Sequence, residues 1–555
     1  MQNGQANEIL ESQIIYGIDD TPNIVLCLFL GFQQYLTMFG STIAVPFALQ
    51  TYLCIGVLNF EAVGKIISTI FFVSGLATLI QTSIGIRLPI VQGATFSLLV
   101  PTMTLMQEDK WRCTIDLRNS TPIPGIDYED LWQSRIREIQ GAILISSLFQ
   151  VVAGATGAVG LMLKFIGPLT IAPGICLVGL SLFSAATSFS SVNWPIAILT
   201  IFLITLFSQV LGEFSVPIYY YSFTKSWTKI KVNIFKLFPV LLAVLTMWLI
   251  SFLSTIFGVF TDDPSLPQYE ARTDAKLNVI SQSQWFAIPY PFQWGWPTFS
   301  VAGILGMLPG IIASMIESIG DYYACARLSK APPPPISAIN RGVLAEGIGS
   351  IIAAMWGSGN GTTSYSENIG AIGITKVASR RVIQVGALIM IGLATFGKFG
   401  ALFSTIPKPV VGGIFYCMFA MIVGVGLSNV QFIDLNSSRN LFVLGFSIFS
   451  GLAIPSWLAD DTNAALIAIG LTQLDKIILV LLKTNMFVAA FTGFVLDNLL
   501  PGSKKSRGLL AWKADDSISS TKTYEVPFLK ENKLFKLVPF CTLPKEKSEV
   551  HPTSL

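Results

Sequence analysis

Histidine is nearly missing from this chain: of its 555 residues only His551, in the C-terminal tail, is one. That excludes a Ser/His/Asp or Cys/His arrangement, and a histidine proton relay, anywhere in the hydrophobic region. Charge is scarce too. Asp, Glu, Lys and Arg make up 12% of the residues, the net charge is +3, and no basic run is interleaved with aromatics, so nucleic acid is not the expected partner. No GxxxxGK[ST] phosphate loop occurs, which removes the usual basis for ATP-driven pumping. The cysteines at 27, 54, 113, 176, 325, 417 and 541 show neither CxxC spacing nor companion histidines; zinc is excluded, and most read as small core residues. Residues 1–20 lack a basic n-region and a small-residue cleavage site, so the first hydrophobic segment is expected to stay and span. Nothing in the sequence favours an enzyme, and no cofactor is expected.

What the chain has in abundance is apolar surface. Hydrophobic residues reach 52% and the mean hydropathy is +0.64, values that indicate an all-α polytopic membrane protein. About fourteen crossings are predicted, some short, at 24–45, 61–84, 90–106, 138–160, 165–188, 194–212, 234–257, 298–320, 341–356, 363–376, 381–400, 408–428, 440–456 and 477–499. Arg87, Lys164, Lys225, Lys229, Lys231, Lys236, Arg327, Lys330, Arg341, Lys376, Arg380 and Arg381 fall on one side, which is therefore expected to be cytoplasmic with both termini. Lys398 and Lys408 fall on the other side. The loop 107–137, carrying the sequon Asn119-Ser120-Thr121, and the loop 258–297 are expected outside, making Asn119 a candidate glycosylation site. Sequons at Asn360 and Asn436 are discounted, because they fall in a membrane re-entry and on the cytoplasmic side. The tail from Ser503 to Leu555 is polar without an apolar period, and is expected to be a mobile cytoplasmic tail.

Two segments are too polar and too rich in small residues to be ordinary spans: VQGATFSLLVP at 91–101 and GNGTTSYSENIG at 359–370. They occupy comparable places in the two halves of the chain. Helices broken in corresponding positions free backbone N–H and C=O groups to face a solute, and so point to a secondary transporter's binding site. Carboxylates give the second clue, since one at the bilayer centre costs at least roughly 2.5 kcal/mol. Glu317 and Asp321 are four apart and share a helix face, so both can point into one cavity and hold a cation. Glu367 opens a third polar position. Glu346 and Asp497 read as charges near span ends, explained by snorkelling or interfacial pairing.

The stretches LGFQQYLTMFGSTIAVPF at 30, ARTDAK at 271, IPYPFQWGWP at 288, IESIGDYYACARLSKAPPPPISAINRG at 316 and GNGTTSYSENIGAIGITKVASRRV at 359 together resemble the nucleobase/ascorbate transporter family. Its animal sodium-dependent branch, which includes the vitamin C transporters, is the nearest in pattern. The resemblance implies fourteen spans in two inverted repeats of seven, with two short broken helices or strands at the substrate site. It implies a core domain (23–160 and 298–400), a gate domain (161–257 and 401–500), an extracellular loop (258–297), and cytoplasmic segments at 1–22 and 501–555. It implies a homodimer embedded in membrane lipid, in which the core moves against the gate like an elevator. By the same resemblance Glu317 is the substrate carboxylate, Asp321 is linked to ion coupling, and Glu367 with Asn368 opens the family signature, here ENIGAIGITK. Phe96 matches an aromatic that stacks on the substrate ring. Ser366 and Gln33 are assigned to substrate with these; Thr95 and Glu317 join Asp321 in ion coupling, with sodium placed at Asp321.

The chemistry distinguishes two substrates. A nucleobase presents ring N–H donors that two carboxylates can accept, and charge-assisted bonds of that kind are roughly twice as strong as neutral ones. Ascorbate is an anion, and a second carboxylate about 5 Å away costs on the order of 3 kcal/mol at an effective dielectric near 20 unless sodium offsets it. In the family's vitamin C transporters the Glu367 position is typically proline, whereas nucleobase carriers have glutamate or glutamine. The expected function is therefore sodium-coupled import of nucleobases such as uracil, thymine, xanthine, hypoxanthine or guanine at the plasma membrane, with ascorbate as the alternative. Gln34 departs from the family's usual Gln-His pair, leaving its role open between an interhelical hydrogen bond and the site.

Overall fold

The computed structural model describes residues 14–56, 59–115, 124–222, 226–263, 266–464, 466–467, 472–509 and 521–526. Apolar runs of 18 to 29 residues set its plan, because at 1.5 Å per residue they reach about 27 to 44 Å, lengths suited to a hydrocarbon core roughly 30 Å thick. Among the described residues nine helices are long and apolar enough to cross a membrane, or ten if one bent pair counts as a span.

The first half opens with α1 (Ile24–Gln50), α2 (Glu61–Ser83), strand β1 (Gln92–Ala94), a 3-10 turn at Phe96–Leu98, α3 (Leu99–Met106) and α4 (Tyr128–Thr156). The second half repeats that order with α9 (Val301–Leu328), α10 (Ile336–Trp356), β4 (Thr362–Ser364), α11 (Ser366–Thr375) and α12 (Arg380–Ala394). Between them lie α5 (Pro168–Ser181), α6 (Phe183–Ser190), α7 (Trp194–Thr205), the hairpin β2–β3 (Val216–Ser222, Ser226–Val232) and α8 (Pro239–Ile256). The chain then continues through α13 (Gly397–Ser404), α14 (Lys408–Ser428), α15 (Ser438–Trp457), α16 (Thr472–Lys483) and α17 (Asn485–Leu499).

β1 and β4 pair antiparallel, with Gln92 opposite Ser364, Gly93 opposite Thr363 and Ala94 opposite Thr362. This pairing answers the main cost of breaking a helix inside apolar surroundings, an unsatisfied backbone. Neighbouring groups complete it: Thr95 N–H donates to the Gly361 carbonyl (3.3 Å), Tyr365 N–H to that of Val91 (3.0 Å), and Asn360 Nδ2 to that of Thr95 (2.9 Å). Asn360 is buried, which removes its sequon from any glycosylation chemistry.

The helices pack mainly in two groups. In one, α4 lies against α9 and α10, and α12 against α1 and α2; in the other, α14 packs on α5, α6 and α7, and α17 on α5 and α15. Small residues allow close approach within the first group: a Cβ added to Gly31 of α1 would sit 2.8 Å from the Gly386 nitrogen of α12.

Several expectations are corrected. α4 begins at Tyr128, ten residues before the expected span, because Asp127 caps it by accepting from the N–H groups of Glu129 (2.9 Å) and Asp130 (3.3 Å). α9 continues to Leu328, so Asp321 stands well inside the helix. The expected span 477–499 is broken at Thr484, where Ile477–Lys483 and Asn485–Leu499 meet at 89°. The aromatic and β-branched stretches at 216–222 and 226–232 form a hairpin where a plain loop was expected. Cys54 and Cys113 are not small core residues but a disulfide, with Cα atoms 5.6 Å apart. Two parts of the tail are docked: Arg507 pairs with Asp497 at 3.0 Å, and Tyr524 is 1% exposed. Asn119, Cys541 and His551 lie outside the described residues.

Candidate solute and ion site

The two strand–helix breaks and the middle of α9 bring four polar groups to the boundary between the helix groups. Glu317 and Asp321 stand one turn apart on α9, and Ser366 and Glu367 form the first turn of α11. Each carboxylate meets a serine. Ser97, in the 3-10 turn after β1, donates to Glu317 Oε2 at 3.3 Å. Ser366 donates to Asp321 Oδ1 at 2.7 Å, and Ser41 of α1 donates to Glu367 Oε1 at 2.7 Å. Among the described residues no lysine or arginine forms an ion pair with any of the three. Asp321 Oδ2 is buried without a hydrogen-bond partner. Arg341, a natural candidate to neutralise Asp321, instead donates to the carbonyls of Gly85 (2.7 Å) and Tyr524 (2.5 Å).

Two cavities reach this cluster. One of about 750 Å³ is lined by Glu317, Asp321 and Ser366 on one side and by Ile171, Ile175 and Val425 on the other. The second, of about 990 Å³, is lined by Glu367 and Ser41 and by Met418 of α14. Both volumes accommodate a small heterocycle with its water. Each sits where the two helix groups face one another, so relative movement of the groups would reshape both.

The remaining predicted residues are placed as follows. Half-buried Phe96 meets Phe419 of α14 edge-on, with ring centroids 5.9 Å apart, at the boundary between the groups. The Thr95 hydroxyl accepts from Ser97 N–H at 3.2 Å and so caps the 3-10 turn. Gln33 donates to Thr37 on its own helix at 3.0 Å and lines neither cavity. Asn368 turns away from Glu367 and donates to both the backbone carbonyl and the side-chain oxygen of Gln34, each at 2.8 Å. Gln34 thus fastens α11 to α1, which is the interhelical role left open by the sequence. The structure brings Glu317, Asp321, Ser366 and Glu367 together, with Phe96 nearby, and leaves Gln33 in a bond within its own helix and Asn368 in a helix–helix contact.

Sequence reasoning missed Ser41, Ser97 and Glu346. The first two are small hydroxyls in apolar runs, a common pattern with no positional signal of its own. Glu346 is neither snorkelling nor ion-paired: it is 1% exposed, and accepts from Ser318 (2.6 Å), Gln150 (3.4 Å) and Tyr322 (3.4 Å) directly behind β4. Its signal was its place in mid-helix once α10 is started at Ile336 rather than 341. Asp497 fits its expected pairing, held by Arg439 (2.9 Å) and Arg507 (3.0 Å). Among the described residues no group of three or more His, Cys, Asp or Glu is arranged to hold a metal. A weakly held cation would draw on carboxylate, hydroxyl and carbonyl oxygens instead.

Comparison with known proteins agrees with this architecture. Residues 26–459 match the model of a permease family. Human solute carrier family 23 member 2 is 49% identical over 540 residues, covering 95% of this chain and 82% of that protein. The chain belongs to the nucleobase/ascorbate transporter family. Nucleobase-ascorbate transporter 8 of Arabidopsis thaliana is 35% identical over 521 residues, covering 92% of each protein. The solved structure of SLC26A9 superposes with a TM-score of 0.50 at 10% identity, over 77% of this chain and 62% of that one, a likeness of fold alone. As a nucleobase/ascorbate transporter family member, the chain is a multi-pass membrane transporter.

Proposed function

We propose that this transporter is a sodium-coupled symporter importing nucleobases, among them uracil, thymine, xanthine, hypoxanthine and guanine, across the plasma membrane. The observation that carries the reading is the pair Glu317 and Glu367, two carboxylates held by single serine hydroxyls, with no ion pair to either among the described residues. Such groups are ready to accept ring N–H donors from a neutral base, and Phe96 offers an aromatic edge at the same boundary. Asp321, with one free oxygen beside the Ser366 hydroxyl, is the seat for sodium, with the cap of Thr95 nearby in sequence to the Ser97–Glu317 contact. Sodium entry into a negative cell supplies about 2.3 kcal/mol per 100 mV.

In this reading the group built from α1–α4 and α9–α12 is the core, the group built from α5–α8 and α14–α17 is the gate, and fourteen spans arise when the short apolar helices are counted. Cavities lying between the groups support an elevator-like movement of one past the other. The Cys54–Cys113 disulfide supports an outer location for the loops after α1 and α3, and hence cytoplasmic termini. Lys398 and Lys408 fit that outer side, since Lys408 pairs with Glu270 at 2.9 Å and Lys398 donates to the Ser281 carbonyl at 3.2 Å. A homodimer formed through the gate completes the proposal.

A second reading is sodium-coupled ascorbate transport on the same fold. It draws on the close likeness to the animal branch, and on the names of the plant relatives, which join both solutes. Uptake of labelled uracil, xanthine and ascorbate, with sodium and then choline outside, separates the two. Saturable base uptake only in sodium is the expected result. Ascorbate uptake without base uptake would replace the first reading with the second.

A further inference from the structure

The loop that carries ARTDAK, between α8 and α9, is docked on both helix groups, so that only a short stretch of backbone crosses from one to the other. Its gate-side contact comes first. The 3-10 turn Pro267–Ala271 packs on α14, Glu270 pairs with Lys408 at the start of that helix (2.9 Å), and Ala271 is fully buried. Thr273 N–H then donates to Thr255 Oγ1 of α8 at 3.4 Å. The Lys408 ammonium stands 5.3 Å from the Phe189 ring centroid, which draws α6 into the same contact.

The core-side contact follows at once. Half-buried Lys276 lays its ammonium over the Phe60 ring, 3.9 Å from the centroid, and Phe60 leads directly into α2. The helical turn Leu277–Gln282 packs on α13, and the Ser281 carbonyl accepts from Lys398 of that helix at 3.2 Å. Beyond it the Trp285 carbonyl accepts from Gly397 N–H (3.1 Å), and Ala287 N–H donates to the Thr395 carbonyl (2.9 Å). α13 is itself seated on α2: a Cβ added to Gly400 would lie 2.5 Å from the Gly64 carbonyl. Burial draws the Lys276 ammonium down to about 8, with Glu270 opposing the shift and Lys408 adding to it. The other charges close by are engaged elsewhere, Glu61 with Lys65 (2.6 Å) and Asp274 with Arg272 (2.7 Å). Lys276 is therefore charged at pH 7 and loses its charge as the pH rises through 8.

Beside this loop the chain crosses between the groups a second time, through Thr405–Pro407, where core-seated α13 gives way to α14. One short crossing leaves a hinge about which α13 can swing relative to α14. The loop closes a triangle over that hinge, running from Lys408 at the start of α14 to Lys398 near the start of α13. We propose that Glu270–Ser281 is a releasable brace: seated on Phe60, it fixes the angle between α13 and α14 and so the placing of core against gate, and lifted, it frees the swing that solute transfer needs. The restraint is a matter of reach. Thr273 and Lys276 can lie at most roughly 10 Å apart, whereas an unseated chain from Thr273 to Trp285, the next residue bonded to the core, extends to roughly 40 Å. The core-side end is the one that lifts, since it rests on a half-buried ammonium and a turn whose Leu277 is 51% exposed, while buried Ala271 anchors the other end. The brace's part in uptake rests on the transporter reading, whereas its seating is tested without it.

Val279, 8% exposed on the helical turn, reports seating. Full-length Val279→Cys protein is purified in detergent and treated with a maleimide, and modification at position 279 is read by peptide mass. Slow modification is expected on this background, several-fold faster modification when Lys276→Ala is added, and slow modification again with Lys276→Arg, whose guanidinium also stacks on an aromatic ring. Equal rates with Lys276→Ala and Lys276→Arg overturn the seat. Cys325, 0% exposed in α9, should stay unmodified throughout, which separates a lifted brace from an unfolded protein. In cells, without the reporter substitution, Lys276→Ala should raise the saturating uptake rate roughly two- to fivefold, the ratio expected of one exposed cation–π contact, and Lys276→Arg should leave it unchanged. A rate in Lys276→Ala equal to the parent's overturns the brace even where seating is seen. Between pH 7 and 9 the parent's rate should rise relative to that of Lys276→Arg, which stays charged; a constant ratio overturns the role of the ammonium. Absence of uptake in the parent chain would count against the solute assignment alone, leaving the labelling result to decide the seat.

Discussion

Ser41 and Glu367, separated by 326 positions in the chain, are joined by a 2.7 Å hydrogen bond in which the serine hydroxyl donates to the carboxylate. The same hydroxyl lies 3.6 Å from Met418 Sδ, on the opposing helix group. The bond orients Glu367 in the cavity it shares with Met418, at the boundary between the two helix groups. Bonds to charged groups contribute about 1.5–3 kcal/mol, so Ser41→Ala should raise the uptake KM for uracil by roughly tenfold or more. Ser41→Thr keeps the hydroxyl and should recover most of the affinity. An unchanged KM in Ser41→Ala would remove Glu367 from the solute site.

Glu317 and Asp321 share a helix face but meet different serines, Ser97 and Ser366. Their substitutions should differ in kind. Glu317→Gln is expected to abolish uptake with normal surface expression, because the amide keeps one acceptor but loses the charge that strengthens a bond from a ring N–H. Asp321→Asn is also expected to abolish uptake at ordinary sodium, and to recover part of it as sodium is raised. Surface biotinylation with a sodium titration reads both. Full activity in both variants would sink the site assignment.

Glu346 tests a structural role within the same domain. It accepts from groups on α4 and α9, and Tyr322 in turn accepts from Gln81 of α2 at 2.7 Å, so one carboxylate organises three neighbouring helices behind β4. Glu346→Leu removes the acceptor for three buried donors and should cost about 3 kcal/mol. Its thermal midpoint in detergent should fall clearly, and that of Glu346→Gln, which retains one acceptor, should fall less. A Leu variant as stable as the parent would mean the network carries no structural load.

The membrane class and the two broken segments were legible because composition and local polarity are written directly in the sequence. Residues 91–101 and 359–370 stood out as too polar and too small, and they do become the paired strands β1 and β4. What could not be read was any pairing across the chain. Nothing local to Ser41 points to Glu367, and nothing in Asn368 says that its amide faces Gln34 rather than a solute. Helix ends misled in a second way. Placing the start of α10 at 341 made Glu346 a terminal charge, whereas the proline run 332–335 lets the helix begin at Ile336 and buries Glu346 in its interior. The hairpin at 216–232 was passed over because four lysines nearby dominated its reading as a cytoplasmic loop.

Cys54 and Cys113 close a loop with a sequence separation of 59, fastening the turn after α1 to the segment after α3. In the chain-entropy picture, closure of that length stabilises by on the order of 4 kcal/mol. It also reports topology, since a disulfide persists on the oxidising side of the membrane. Denatured protein should therefore gain two maleimide-reactive cysteines on reduction, measured by intact mass. On intact cells, a membrane-impermeant reductant followed by an impermeant maleimide should label Cys54 and Cys113, and Cys54→Ser with Cys113→Ser should remove that signal. Labelling only after permeabilisation would invert the assigned orientation. No gain of thiols on reduction would remove the bond itself, and with it the argument that the loops after α1 and α3 face outward.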